Sequence, residues 1–109
     1  MALFDKSRIY LATQGGGILV SRDDCKSGTA SNTGLGNLYV NTVAVDPNNP
    51  ETVYAGTEVG AYVSYDSGQI WGAINDGLVN STIIYTLIVD RGSNVFAATP
   101  FGVFKLEEK

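Results

Sequence analysis

The chain has 109 residues, 44% hydrophobic and 17% charged, with a net charge of −4. That length allows one domain, and the composition is globular rather than disordered. Seven scattered Lys and Arg residues lack the clustering needed to bind a phosphate backbone, which excludes nucleic acid as a partner.

Met1 to Lys6 carries no signal-peptide core, which leaves a cytoplasmic chain or one whose leader is removed. Lys6 and Arg8, the nearest approach to a basic cluster, read as a solvated edge. The first strand signal is Ile9-Tyr10-Leu11-Ala12-Thr13, which is β-branched, aromatic, apolar, small and then Thr. Gln14-Gly15-Gly16-Gly17 follows, but it lacks a Lys-Ser/Thr pair and precedes no helix, so it is no phosphate loop. A second strand runs through Ile18-Leu19-Val20-Ser21. Cys25, the single cysteine, permits no intrachain disulfide and reads as a turn residue. Ser27 to Thr33 is the most loop-like stretch. Later come Thr42-Val43-Ala44-Val45-Asp46, a Pro47-Asn48-Asn49-Pro50 turn, Val53-Tyr54-Ala55-Gly56-Thr57 and Ala61-Tyr62-Val63-Ser64-Tyr65. A short outer strand near Trp71 to Ile74 leads to the turn Asn75-Asp76-Gly77. Thr86 to Val89 is almost wholly apolar and is expected to be buried on both faces. Asp90 to Asn94 repeats the turn at Asp46, and Val95-Phe96-Ala97-Ala98-Thr99 repeats the strand signal. No window sustains a helical period, no segment holds the ~20 apolar residues of a membrane span, and the absence of histidine removes the commonest metal ligand and general base.

These pieces recur. Ile9–Thr13, Val53–Thr57 and Val95–Thr99 are offset by 44 and 42 residues, and a Gly follows three positions after each Thr, at Gly16, Gly60 and Gly102. Four strand-like pieces per ~43 residues is the size of one four-stranded propeller blade. The expectation is an all-β chain of about two and a half to three blades, at about 8–36, 37–79 and 80–106, with ten strands in all.

Ser64-Tyr65-Asp66-Ser67-Gly68-Gln69-Ile70-Trp71 reads S-x-D-x-G-x-x-W. It resembles the Asp-box of the sialidase-like β-propellers, a superfamily that also includes xyloglucan-hydrolase propellers, sortilin-type receptors and photosystem assembly factors. The resemblance implies a structural role for Ser64, Asp66, Gly68 and Trp71 on a peripheral hairpin, away from the ligand face. It also leans toward an extracytoplasmic location. In local terms, the Asp accepts backbone N–H bonds, Gly68 supplies a positive φ, and Trp71 lies over the turn against its own blade. In the first repeat Ser21 and Asp23 survive, but Cys25 stands in place of the Gly and Gly28 in place of the Trp.

Ligands on such propellers meet the face formed by second-to-third loops and outer-to-inner connections. The candidate binding residues there are Gln14, Tyr39, Asn41, Glu58, Asn80, Tyr85 and Phe101, types that suit sugars or peptides. No catalytic set is visible: Arg8, Arg22 and Arg91 cannot converge as a carboxylate-binding triad, and Glu58 is the only carboxylate on the candidate face. No metal or cofactor site is expected. The reading is a non-enzymatic module presenting loops to a protein or glycan, the alternative a piece of a carbohydrate-active hydrolase with an incomplete site. Closed propellers need about four to eight blades, so either copies of the chain assemble or it belongs to a longer propeller.

Overall fold

The computed structural model describes residues 2–5, 8–22, 28–74 and 83–106, and these are strands, turns and bends without helix. The strands are β1 (Ala2–Asp5), β2 (Arg8–Ala12), β3 (Ile18–Ser21), β4 (Thr29–Ala30), β5 (Val40–Asp46), β6 (Asn49–Thr57), β7 (Ala61–Ser64), β8 (Gly72–Ala73), β9 (Thr86–Val89), β10 (Val95–Thr99) and β11 (Gly102–Leu106). They form three antiparallel meanders: β1-β2-β3-β4, β5-β6-β7-β8 and β9-β10-β11. The sequence repeat is also a register repeat. Ile9 pairs with Ser21, Val53 with Ser64, and Val95 with Leu106, with the rest of each ladder in step.

Strand alternation sends successive side chains to opposite faces, and both faces of the middle sheet meet a neighbouring sheet. Tyr10, Ile18 and Val20 of the first sheet bury against Val43, Val53 and Ala55 of the second. On the other side of the second sheet, Tyr54, Ala61 and Val63 bury against Leu87, Val95 and Ala97 of the third. Tyr62 packs in the first cluster and Val63 in the second, so β7 alternates between them.

Several details differ from the sequence reading. The first sheet gains an inner strand, β1, because Ala2–Asp5 pairs with β2 through a bulged register between Leu3 and Asp5. Four residues are too few to carry a period of their own. Ser27 to Thr33 is not all loop, since Thr29–Ala30 is the outer strand of the first sheet. The Asp46 turn is two residues, Pro47 and Asn48, with Asp46 paired to Asn49, whereas Asp90 closes on Asn94 across three. Thr86–Val89 is buried on one face only: Leu87 is 5% exposed but Ile88 is 60% exposed. Among the described residues no further sheet packs on the outer face of the third. The turn at Asn75-Asp76-Gly77 lies outside the described residues.

Close approach of the sheets demands small residues at one position. A methyl group on Gly56, in β6, would collide with the Ile84 side chain and with the Thr42 methyl. Gly72, in β8, has open space around it. We expect Gly56→Ala to destabilise by about 1–3 kcal/mol through overpacking, while Gly72→Ala changes stability little or raises it by up to ~1 kcal/mol. Urea unfolding of both variants followed by circular dichroism checks the contrast, and equal effects would contradict the packing.

Candidate functional site

One end of the three sheets is built on a turn that occurs three times. The Thr57 hydroxyl donates to the Gly60 carbonyl (2.9 Å) and accepts the Val59 N–H (3.0 Å). Thr99 donates to the Gly102 carbonyl (3.0 Å) and accepts from Phe101 (3.1 Å). Thr13 donates to Gly17 (2.7 Å) and accepts from Gly16 (3.1 Å). The structural counterpart of Gly60 is therefore Gly17 and not Gly16, because the first turn is one residue longer.

The entry segments of the following sheets dock beside these turns. Val40 N–H bonds the Thr13 carbonyl (2.8 Å), and Ile84 N–H bonds the Thr57 carbonyl (2.9 Å). Glu58 N–H bonds the Tyr39 carbonyl (3.0 Å), and the Leu38 carbonyl accepts from both Gly15 and Gly17. Side chains extend this ladder. The Gln14 amide donates to Asn41 Oδ1 (2.7 Å) and the Val40 carbonyl (3.0 Å), and the Asn41 amide donates to the Ile84 carbonyl (3.1 Å). A chain of amide bonds thus crosses from the first sheet to the entry of the third.

The opposite end carries a second polar link. Ser93 donates to Asp46 Oδ1 (2.9 Å), and the Asn48 amide donates to the Arg91 carbonyl (2.6 Å) and Ser93 Oγ (2.9 Å). Asp90 Oδ1 accepts from the Asn94 N–H and the Gly92 N–H (2.9 Å each), and the Asn94 amide donates to Oδ2 (3.2 Å); these bonds, the Asn94 N–H foremost, hold its carboxyl below the ordinary range. Asp46 and Asp90 therefore organise turns.

At the periphery, Ser64, Asp66 and Gly68 close a hairpin. Ser64 Oγ, fully buried, donates to Asp66 Oδ1 (2.7 Å) and accepts the Gly68 N–H (2.8 Å), while Asp66 Oδ1 accepts from Ile70 (3.0 Å). Ser67 and Gly68 both take positive φ. Trp71 reaches beyond its own sheet. Its indole N–H donates to the Ser31 carbonyl and its backbone N–H to the Thr33 carbonyl, both at 2.8 Å. Ser31 Oγ in turn donates to the Gly68 carbonyl. Gly34, at φ +86, lies so close to the Trp71 carbonyl that no side chain fits there. The stretch that looked most loop-like is the dock for the tryptophan.

No protein-family model and no curated protein matches the chain significantly. Solved structures do match. An ancestral GH74 enzyme aligns with 88% of the chain at a TM-score of 0.78 and 20% identity, using 12% of its own length. The extracellular domain of a putative one component system from B. thetaiotaomicron aligns with 99% at 0.72 and 20% identity. That of a putative hybrid two component system from the same organism aligns with 98% at 0.73 and 19% identity. These sheets are β-propeller blades. The chain spans only 12–15% of the lengths of these neighbours.

Gln14, Tyr39, Asn41 and Glu58 come together on the Thr-turn end of the blades through the bonds above. Tyr85 holds the place in the third blade that Asn41 holds in the second, with its N–H on the Ala98 carbonyl (2.8 Å). Phe101 tops the last Thr turn. Tyr39, Tyr85 and Phe101 are 53%, 56% and 66% exposed, and Leu38 and Val59 add exposed apolar surface that the sequence reading missed. These two were missed because polar and aromatic types were sought, although they flank Tyr39 and Glu58. Asn80 lies outside the described residues. Arg22 borders a peripheral cleft of about 360 Å³ with Glu51 and Asp66, whereas Arg91 sits in the far turn of the third blade.

Hydrogen bonds from the Ile70 N–H and the Ser64 hydroxyl hold Asp66 below its ordinary value of 3.8. A lowered folded-state pKa stabilises the fold fully above the unfolded value, and that contribution is lost as pH falls through the folded value. The stability difference between the native chain and Asp66→Asn should therefore be present at neutral pH and shrink as pH drops below 3.8. Trp71 fluorescence in denaturant titrations at several pH values reads this. A difference that grows in acid would contradict the assignment.

Proposed function

We propose that the chain is a non-catalytic β-propeller module that binds a neutral glycan across the Thr-turn face. The observation that carries this reading is that the exposed rings Tyr39, Tyr85 and Phe101 share one end of the blades with amides whose orientation is already fixed by Gln14–Asn41–Ile84 bonding. Aromatic faces suit the apolar faces of sugar rings, and immobilised amides match hydroxyls at little entropic cost. A polypeptide laid across the same face is the second occupant this chemistry admits. Glu58 is the sole carboxylate among the candidate residues, so a paired-carboxylate glycosidase mechanism finds no second member among them.

We read Ser64–Trp71 as the Asp-box of the sialidase-like superfamily, with Ser64, Asp66, Gly68 and Trp71 in structural roles. The same reading puts the chain outside the cytoplasm, as in the extracellular domains among its structural neighbours.

A glycan array on the native chain tests the proposal. Bound oligosaccharides are expected, with Tyr39→Ala and Tyr85→Ala each weakening binding about 10-fold, as loss of a stacking contact of roughly 1.4 kcal/mol implies. Binding of peptides but not glycans would move the reading to its second occupant. Glycoside hydrolysis abolished by Glu58→Gln would overturn the non-catalytic reading in favour of a hydrolase subunit.

A further inference from the structure

The two end blades leave complementary faces uncovered. Inside the chain, each blade presents a leading face that the next blade covers. Tyr10 and Tyr54, at equivalent positions on the leading faces of the first and second blades, are both 0% exposed. Phe96 is their counterpart in the third blade; it is half-buried, and among the described residues no further blade packs on its face. The ladder places Phe96 on the same face as Ile88, Ala98 and Val103, and Ile88 and Val103 are 60% and 72% exposed. At the other end, the trailing face of the first blade carries Ile9, Leu11 and Leu19, all half-buried. Their counterparts Val53, Ala55 and Tyr62 are the residues that close over Tyr10, and Val95 and Ala97 close over Tyr54.

We propose that two copies of the chain join head to tail, the leading face of each last blade on the trailing face of the other's first blade, and close a ring. The seam would repeat an interface that the chain already makes twice internally. For a ring built from these three described sheets alone, two copies are the one multiple that falls within the roughly four to eight blades of closed propellers. A head-to-tail contact is heterologous, and it ends in a ring only when the rotation closes. Once one seam forms, the second is intramolecular and forms at high effective concentration. Lys105 replaces Val20 and Val63 at the equivalent leading-face position. It lies on β11, at the margin of its sheet, where its stem can cover apolar surface while the ammonium reaches water. That makes the seam weaker than the internal interfaces. Tyr85, standing where Asn41 reaches the next blade, would border this seam, whereas Tyr39 lies at a junction inside the chain.

Light scattering with sedimentation velocity across a concentration series tests it. The native chain is expected at twice its 11.5 kDa mass. Val103→Arg and Leu19→Arg should each give monomers with unchanged circular dichroism and Trp71 emission. Mixing those two variants should restore dimer, because one native seam survives in the mixed pair. Lys105→Val should tighten the native dimer. A chain that stays monomeric at every concentration, as one completed by further covalent blades would, overturns the proposal. So does a dimer indifferent to both arginine substitutions, or an open-ended series of larger masses.

Discussion

At the periphery, the first two blades are tied by the Trp71 indole, 2% exposed, with its N–H on the Ser31 carbonyl. An aromatic ring of that size removes a large apolar area from water, and its single polar atom must find an acceptor when buried. The acceptor belongs to the neighbouring blade, so the ring is satisfied only when the blades are in register. Three further bonds and contacts run across the same junction: Trp71 N–H to Thr33, Ser31 to Gly68, and the tight approach of Gly34. The Ser64–Asp66–Gly68 bonds set the turn that aims Trp71 at this target. A local hairpin motif thereby becomes a device for orienting one sheet on another.

The second junction has the same apolar design but different polar links. Leu106 stands where Ser21 and Ser64 stand in the other blades, so the third blade offers no Ser–Asp hairpin to dock on the second. Its register is instead held at both ends of the sheet. At the Thr-turn end Asn41 bonds the Ile84 carbonyl, and at the far end Ser93 and Asn48 tie the Asp46 and Asp90 turns together. Both junctions share the N–H of the entry segment bonded to the carbonyl of a turn threonine, Val40 to Thr13 and Ile84 to Thr57. That shared bond is the step that repeats, and the periphery varies around it.

Strand identity and order were legible because the repeat compares the chain with itself: a β-branched residue, an aromatic, two apolar or small residues and a Thr fix both the strand and its face. The Thr…Gly spacing is now understood as a hydroxyl bridging a turn. Inter-blade contacts were harder to read. Nothing in Ser31-Asn32-Thr33-Gly34 distinguishes a dock from a loop, since the acceptors are backbone carbonyls that every residue possesses. The exposure of Ile88 was also hidden, because an apolar strand reads as buried on both faces whether or not the chain supplies the second neighbour. For the site, residue types on the Thr-turn face could be named from the strand plan, but the Gln14–Asn41 bond joins positions 27 apart and needed the blades to be assembled.

The Thr-turn end suits the proposed binding role because several backbone groups there are already paired. Each turn threonine closes its own loop, and the entry segments bond the Thr13 and Thr57 carbonyls, so exposed rings beside them carry no hydrogen bond of the turn itself. Tyr39 shows the consequence. Its carbonyl accepts from Glu58 while its ring, set beside Gly15, remains 53% exposed. A rigid backbone bearing exposed rings loses little entropy on meeting a ligand, and that favours recognition over the mobile, water-excluding closure that catalysis often needs.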